Sequence, residues 1–498
     1  MQKQKSLKLN FIMNAILTMS AFVFPLITFP YVSRILLPAG TGRVSFATAV
    51  ISYFALFAQL GIPTYGIRVC AQVRDNREKL TKVVQEIFII NIVMSIFTYI
   101  FFATALFTVP RLQQDRALFA IASLVIFLNV IGFEWLYKAL EQYTYITIRS
   151  IIFKFIALLA MFALVHKQND YVIYGAISIF AASASNILNF INIHKYVDIK
   201  PVGNYNIKRH LKPIIVFFAM ACATTIYTQL DIVMLGFMTT DVDVGYYNAA
   251  VKIKSILISI VTSLGVVLLP RASYYVEHGL KDEFLRITQK AINFVILVAT
   301  PMMLYFTIFS REGITFLSGD AYAGSIIPMQ IIMPTLLFIG LTNIMGMQML
   351  VPLGKEKIVL YSEIAGAVVN LVLNTLLIPR MASSGAAIGT LVAEIVVWLV
   401  QYSALHGTVL KAYRKVHYGF ILLALALASV ASIWVKMLSF SALKPSFATL
   451  IVLIISAVLF FGMYVLVLTI KKEPLVVEIE RQMIGKVVSK IRKHNGIS

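Results

Sequence analysis

The chain is 498 residues long; 59% of them are hydrophobic and only 13% are charged, about half the charged fraction of an ordinary soluble domain. With a mean hydropathy of +0.85, a water-soluble fold is excluded, because one core could not hide so many apolar side chains. The formal net charge of +21 therefore belongs to a polytopic membrane protein, and nucleic acid is not the partner it implies.

The expected fold class is all-α. Fourteen stretches have the roughly 20 apolar residues that a spanning helix needs. In chain order they lie at 9–37, 43–63, 83–109, 117–138, 147–165, 170–193, 212–238, 245–270, 284–310, 323–351, 358–378, 384–405, 417–436 and 447–470. The opening MQKQKSLKLN runs straight into the first stretch with no small-residue cleavage site, which reads as a retained span. Cys70 and Cys222 are the only cysteines and imply no disulfide framework. Segments on one side of the drawn helices hold most of the 43 lysines and arginines, and those on the other side hold few. Positive segments stay cytoplasmic, so fourteen crossings with both termini in the cytoplasm are expected, ending in a basic tail at 471–498.

The pattern repeats. The second span opens with Gly42 and the eighth with Gly245; Arg68 and Arg271 each follow at the same interval. Ala139-Leu-Glu-Gln142 closes the fourth span much as Leu353-Gly-Lys-Glu356 closes the tenth, and Gly175-Ala176 matches Gly385-Ala386 in the sixth and twelfth. A six-helix unit used twice accounts for this order: lobes at 1–194 and 212–407, a linker at 195–211, and two further helices in 408–470. Paired lobes of this kind commonly hold a transport site between them.

Charge within a span is expensive, about 2.5–3.5 kcal/mol on insertion scales, so it faces a cavity or a partner. Asp231 in the seventh span and Glu394 in the twelfth are the acids placed deepest; Glu134 and Glu363 lie nearer span ends, and Glu134 is four residues before Lys138. These four acids are candidates for ion coupling. The intramembrane cations are Lys154 in span five and Lys252 and Lys254 in span eight, the last two about 200° apart on their helix. With Arg34 and Arg43 around the first turn, they suit an anionic cargo. Pro25 and Pro30 each free a carbonyl within span one, as a gate or hinge requires, and Asn370 and Asn374 share a face of span eleven. The sequence contains no GxxxxGK[ST], HExxH or GxSxG motif, and no metal site or cofactor is expected.

Asn14…Phe24-Pro-Leu-Ile-Thr-Phe-Pro-Tyr-Val-Ser-Arg34, then Gly42, Phe133-Glu-Trp-Leu136, Gln229-Leu-Asp231…Gly236, Val244-Gly-Tyr-Tyr247 and Asn370…Asn374…Gly385-Ala-Ala…Thr390…Glu394 resemble the Wzx-type flippases of O-antigen and capsule export. Those belong to the multidrug/oligosaccharidyl-lipid/polysaccharide exporter superfamily. The resemblance implies two six-helix bundles around a cationic cavity, with alternating access. It also implies an undecaprenyl-diphosphate-linked oligosaccharide as cargo, carried to the outer leaflet of the bacterial cytoplasmic membrane. Na+ or H+ would be the coupling ion, with polysaccharide polymerase and chain-length machinery as further partners. Arginines found on spans one, two and eight in the lipid II branch are replaced on span eight here by lysines, which argues for a different cargo. The alternatives are a cation-coupled drug antiporter of the same superfamily and a membrane-embedded polysaccharide polymerase or ligase.

Overall fold

A backbone within a bilayer must satisfy its own hydrogen bonds, and a chain this apolar does so by forming helices. The computed structural model describes residues 7–438, 445–478 and 480–481, and among these there is no strand. The basic tail expected at 471–498 lies largely outside the described residues. Two compact units are formed, residues 1–248 and 249–498.

In the first unit the helices are α1 (Leu7–Gln59), α2 (Ile62–Val73), α3 (Arg77–Thr108), α4 (Pro110–Gln113), α5 (Arg116–Val130), α6 (Glu134–Ala139), α7 (Tyr143–Leu164), α8 (Tyr171–Ile179), α9 (Asn186–Asn192) and α10 (Lys208–Met238). Helix α11 (Asp241–Glu277) begins in this unit and continues into the second. There follow α12 (Lys281–Ile308), α13 (Ser310–Ser318), α14 (Ile326–Ile332), α15 (Thr335–Asn343), α16 (Glu356–Arg414), α17 (Tyr418–Ile433) and α18 (Pro445–Ile470). Wider π-helical turns occur at Phe180–Ala184 and Ile344–Leu350.

Among the described residues, eleven helical stretches are long and apolar enough to cross a membrane, or twelve when the bent pair Asp320–Ile332 and Thr335–Leu350 is taken as one. Two are far too long for one crossing: Ile12–Val73 has 62 residues and Glu356–Gly407 has 52, whereas about 20 suffice. Each contains a backbone break, at Leu37 (φ 56°, ψ 178°) and at Ala382 (φ 46°, ψ −126°). Both breaks fall at the connections expected from the apolar pattern, between 9–37 and 43–63 and between 358–378 and 384–405. Leu37 precedes Pro38, whose ring disfavours helical geometry in the residue before it. Helix α1 runs on through Pro25 and Pro30, so the turn is made at Leu37 and not at either of those prolines.

The fourth- and tenth-span endings use one device. Glu141 (φ 55°) and Gly354 (φ 70°) are left-handed, and the next amide reaches back five residues, Gln142 N to Tyr137 O at 2.9 Å and Lys355 N to Leu350 O at 2.8 Å. Such a link satisfies carbonyls that a helix end would otherwise leave bare. Arg74, just past α2, donates to Glu141 Oε1 at 2.7 Å, and that hydrogen bond raises the guanidinium pKa further.

Helix α10 packs along α1 and against α2. The repeat assigns it to the second lobe, but its contacts lie in the first unit. One apolar cluster there joins Ile62, Tyr65, Ile87, Trp135, Leu136 and Ile214; a second joins Val32, Leu36, Ala157, Met161 and Val165. In the second unit, Ile292, Val295, Met329, Met333 and Met345 are fully enclosed. Phe97, Ile100 and Phe101 on α3 and Val430 on α17 are more than half exposed, as lipid-facing side chains are.

Candidate functional site

In the first unit the turn after Leu37 meets the start of α11 backbone to backbone. A Cβ on Gly42 would lie 1.8 Å from the Asp241 carbonyl oxygen, and one on Gly245 would lie 2.1 Å from the Pro38 carbonyl oxygen. The glycines that open spans two and eight, matched in the repeat, thus pack into one contact. Around it four charges alternate. Arg43 Nε donates to Asp241 Oδ2 at 3.2 Å, and its Nη1 lies 3.6 Å from Asp115 Oδ1. Arg111 donates to Asp241 Oδ1 and, through Nε, to the Gly236 carbonyl at 2.7 Å. Tyr171 donates to Asp115 at 2.8 Å while its ring lies beneath the Arg43 guanidinium. The start of α1's second arm, α4, the starts of α8 and α11 and the end of α10 are tied together here. Arg43, a candidate cavity cation, is held by two carboxylates.

Deeper in the unit, Asp231 is buried and accepts a hydrogen bond from Tyr247. Lys154 is half-buried on α7, and its Nζ donates to Ser20 Oγ on α1 at 2.8 Å. Arg34 donates to the Pro30 carbonyl at 2.5 Å, occupying an oxygen of its own helix. Glu134 receives Lys138 at 2.8 Å one turn on, and Arg149 lies 3.8 Å from its other oxygen.

Residues 7–276, more than half of the chain, match the family described as polysaccharide biosynthesis protein. The chain belongs to that family. A second family, MatE, matches residues 216–376. A putative O-antigen transporter of Escherichia coli (strain K12) is 25% identical over 395 residues, covering 79% of this chain and 95% of that protein. Another, from Shigella dysenteriae, is 25% identical over 393 residues, 77% of this chain and 96% of the relative. Among solved structures, the lipid II flippase MurJ in an inward closed conformation aligns with 92% of this chain and 99% of its own, at TM-score 0.68 and 15% identity. At that identity the likeness is one of fold.

In the second unit of this polysaccharide biosynthesis protein, Glu394 on α16 is 2% exposed. On the other arm of this helix, across the Ala382 break, Asn374 donates to Asn370 at 3.2 Å, and a Cβ on Gly389 would meet Asn374 Oδ1 at 2.2 Å. Glycine at 389 is what lets the two arms of α16 close over the asparagine pair. Glu363 is half-buried on the first arm. Lys252 and Lys254 are both partly exposed, flanking the buried Ile253, so they point to different sides of α11.

Three clusters were not singled out from the sequence. Arg149, 4% exposed, donates to Ser185 Oγ at 2.9 Å and to Asn186 Oδ1 at 3.2 Å. Glu86 is fully buried and accepts from Asn206 N at 2.7 Å, from Arg209 and from His210, whose other ring nitrogen pairs with Tyr65 Oη at 2.7 Å. The third is the Arg111–Asp115–Asp241 group. Each lies near a span end, where a charge is ordinary, and the partners are remote in sequence: 36 and 37 residues away for Arg149, and more than a hundred away for Glu86 and for Asp241 with Arg43 and Arg111. Arg149 alone carried a signal, being a cation inside the apolar stretch of span five. Among the described residues no group of three His, Cys, Asp or Glu side chains has metal-binding geometry.

Proposed function

We propose that this protein is a flippase. It moves an undecaprenyl-diphosphate-linked oligosaccharide from the inner to the outer leaflet of the bacterial cytoplasmic membrane, for assembly of a surface polysaccharide. The observation that carries the reading is the buried or half-buried charge of both signs in its spanning helices, Asp231, Arg149, Lys154 and Glu394. An inert anchor has no use for such residues, and hydrocarbon penalises them. Membership of a polysaccharide biosynthesis family and a fold shared with a lipid II flippase point the same way.

The mechanism follows from the cost of moving a diphosphate through lipid. The polyprenyl tail stays in hydrocarbon, while the charged linkage and sugars cross in a wet path whose cations replace water around the phosphates. Arg34, Lys154, Lys252 and Lys254 are the cations proposed for this role. The Arg43–Asp241–Arg111–Asp115 group is the clasp that shuts one end of the path during alternating access. Fourteen crossings with both termini cytoplasmic complete the topology, each doubled helix contributing two. Asp231 and Glu394 carry the coupling ion, Na+ or H+, and a polymerase with its chain-length partner receives the product.

Buried acids in both units also suit the second reading, a cation-coupled antiporter of small molecules. One experiment separates the two. Purified protein is reconstituted into liposomes containing undecaprenyl-diphosphate-linked sugar, and exposure of the sugar at the opposite face is followed with a membrane-impermeant enzyme. Protein-dependent exposure supports the flippase; none, together with ion-driven efflux of a cationic dye, supports the antiporter.

A further inference from the structure

Within the first unit is a cavity of about 350 Å³ between the second arm of α1, the start of α2, α5 and α10. It holds about ten waters, room for one pyranose ring with a substituent. Alanines at 55, 122 and 221 leave the space open, while Ser52, Gln59, Thr64, Asn129 and Thr225 supply polar atoms at its wall. So many amide and hydroxyl groups on spanning helices are costly against lipid and useful against a hydroxyl-rich ligand.

One of them is set by a buried charge. Arg149 Nη1 donates to Asn186 Oδ1 at 3.2 Å, and Asn186 Nδ2 donates to Asn129 Oδ1 at 3.3 Å. The cation thus fixes both amides, and what Asn129 has left to offer is its Nδ2, a donor polarised by the chain behind it. Asn186 is itself wedged against Gly132, where a Cβ would approach its amide to 2.7 Å. A donor oriented in this way prefers a carbonyl to a hydroxyl.

Resting on the flippase reading, we propose that this cavity is a recognition subsite for an acetamido sugar of the lipid-linked cargo, the acetamido carbonyl accepting from Asn129 Nδ2 and ring hydroxyls meeting Gln59. One well-made hydrogen bond at a desolvated site is worth about tenfold in selectivity.

The test uses reconstituted full-length protein and two probes, undecaprenyl diphosphate bearing N-acetylglucosamine and the same lipid bearing glucose. The wild type is expected to move the acetamido probe about tenfold faster. Asn129→Leu is expected to bring the ratio to near one by slowing the acetamido probe more than the glucose probe, and Asn129→Ser, which removes the amide but keeps a polar group, serves if the leucine variant does not fold. A wild-type ratio near one, or an unchanged ratio in the variants, overturns the subsite and leaves the flippase standing. Movement of neither probe by the wild type overturns both.

Discussion

Gly42→Ala tests the contact between the first turn and α11. The added methyl would sit 1.8 Å from the Asp241 carbonyl oxygen and 2.9 Å from the Gly245 nitrogen, whereas ordinary contact begins at 3.4 Å. Backbone lies on both sides, so no side chain can swing aside, and the two segments must separate by about 1.5 Å in a packed region. Overpacking of this kind costs about 1–3 kcal/mol, and this case belongs at the upper end. The same shift pulls Asp241 away from Arg43, now 3.2 Å off, and from Arg111. A loss of about 3 kcal/mol lowers the thermal midpoint of a unit this size by roughly 6–12 °C. The assay is the thermal midpoint of purified protein in detergent, with surface polymer measured in a deletion strain carrying the variant. Gly407→Ala is the control: nothing lies within 4 Å of its Cβ position, and removing a helical glycine is neutral or stabilising by up to about 1 kcal/mol. If Gly42→Ala melts with the wild type and exports normally, the reasoning from this contact is refuted.

Glu86→Gln leaves Arg209 and His210 without their shared carboxylate; because Arg209 is half-exposed, the loss should be near the low end for a broken buried pair, about 3 kcal/mol. Hydrogen exchange should quicken through residues 196–210, and unchanged protection there would count against this role. Gly389→Ala pushes a methyl onto Asn374 and should lower the thermal midpoint by several degrees, whereas Gly419→Ala, with open space around it, should not. Lys154→Met keeps the bulk of a side chain that now reaches Ser20, so folding should survive while polymer export falls at least tenfold; full export would remove Lys154 from the path. Asp231→Asn keeps a partner for Tyr247 and should uncouple transport from the ion gradient in proteoliposomes, an effect absent if the acid is purely structural.

Much of the architecture is legible along the chain because a spanning helix satisfies its backbone locally and announces itself by composition. The apolar runs, the turn before Pro38 and the closing of spans four and ten at Glu141 and Gly354 all depend on residues within a few positions of one another. Asp231 and Glu394 stand out for the same reason, as acids inside apolar runs, and so does the equal spacing after Gly42 and Gly245.

What the chain could not display was which of these residues meet. Arg43 and Asp241 stand 198 positions apart, and each alone looks like an ordinary charge at a span end. Glu86 is buried only because the loop leading into α10 folds over it, bringing Asn206, Arg209 and His210. Asn129 becomes a directed donor only when Asn186 and Arg149 line up behind it. Hydropathy sets how deep a side chain sits, because lipid acts on every residue alike; its partner depends on how helices pack sideways, which two backbones at Gly42 and Gly245 decide by having no Cβ between them.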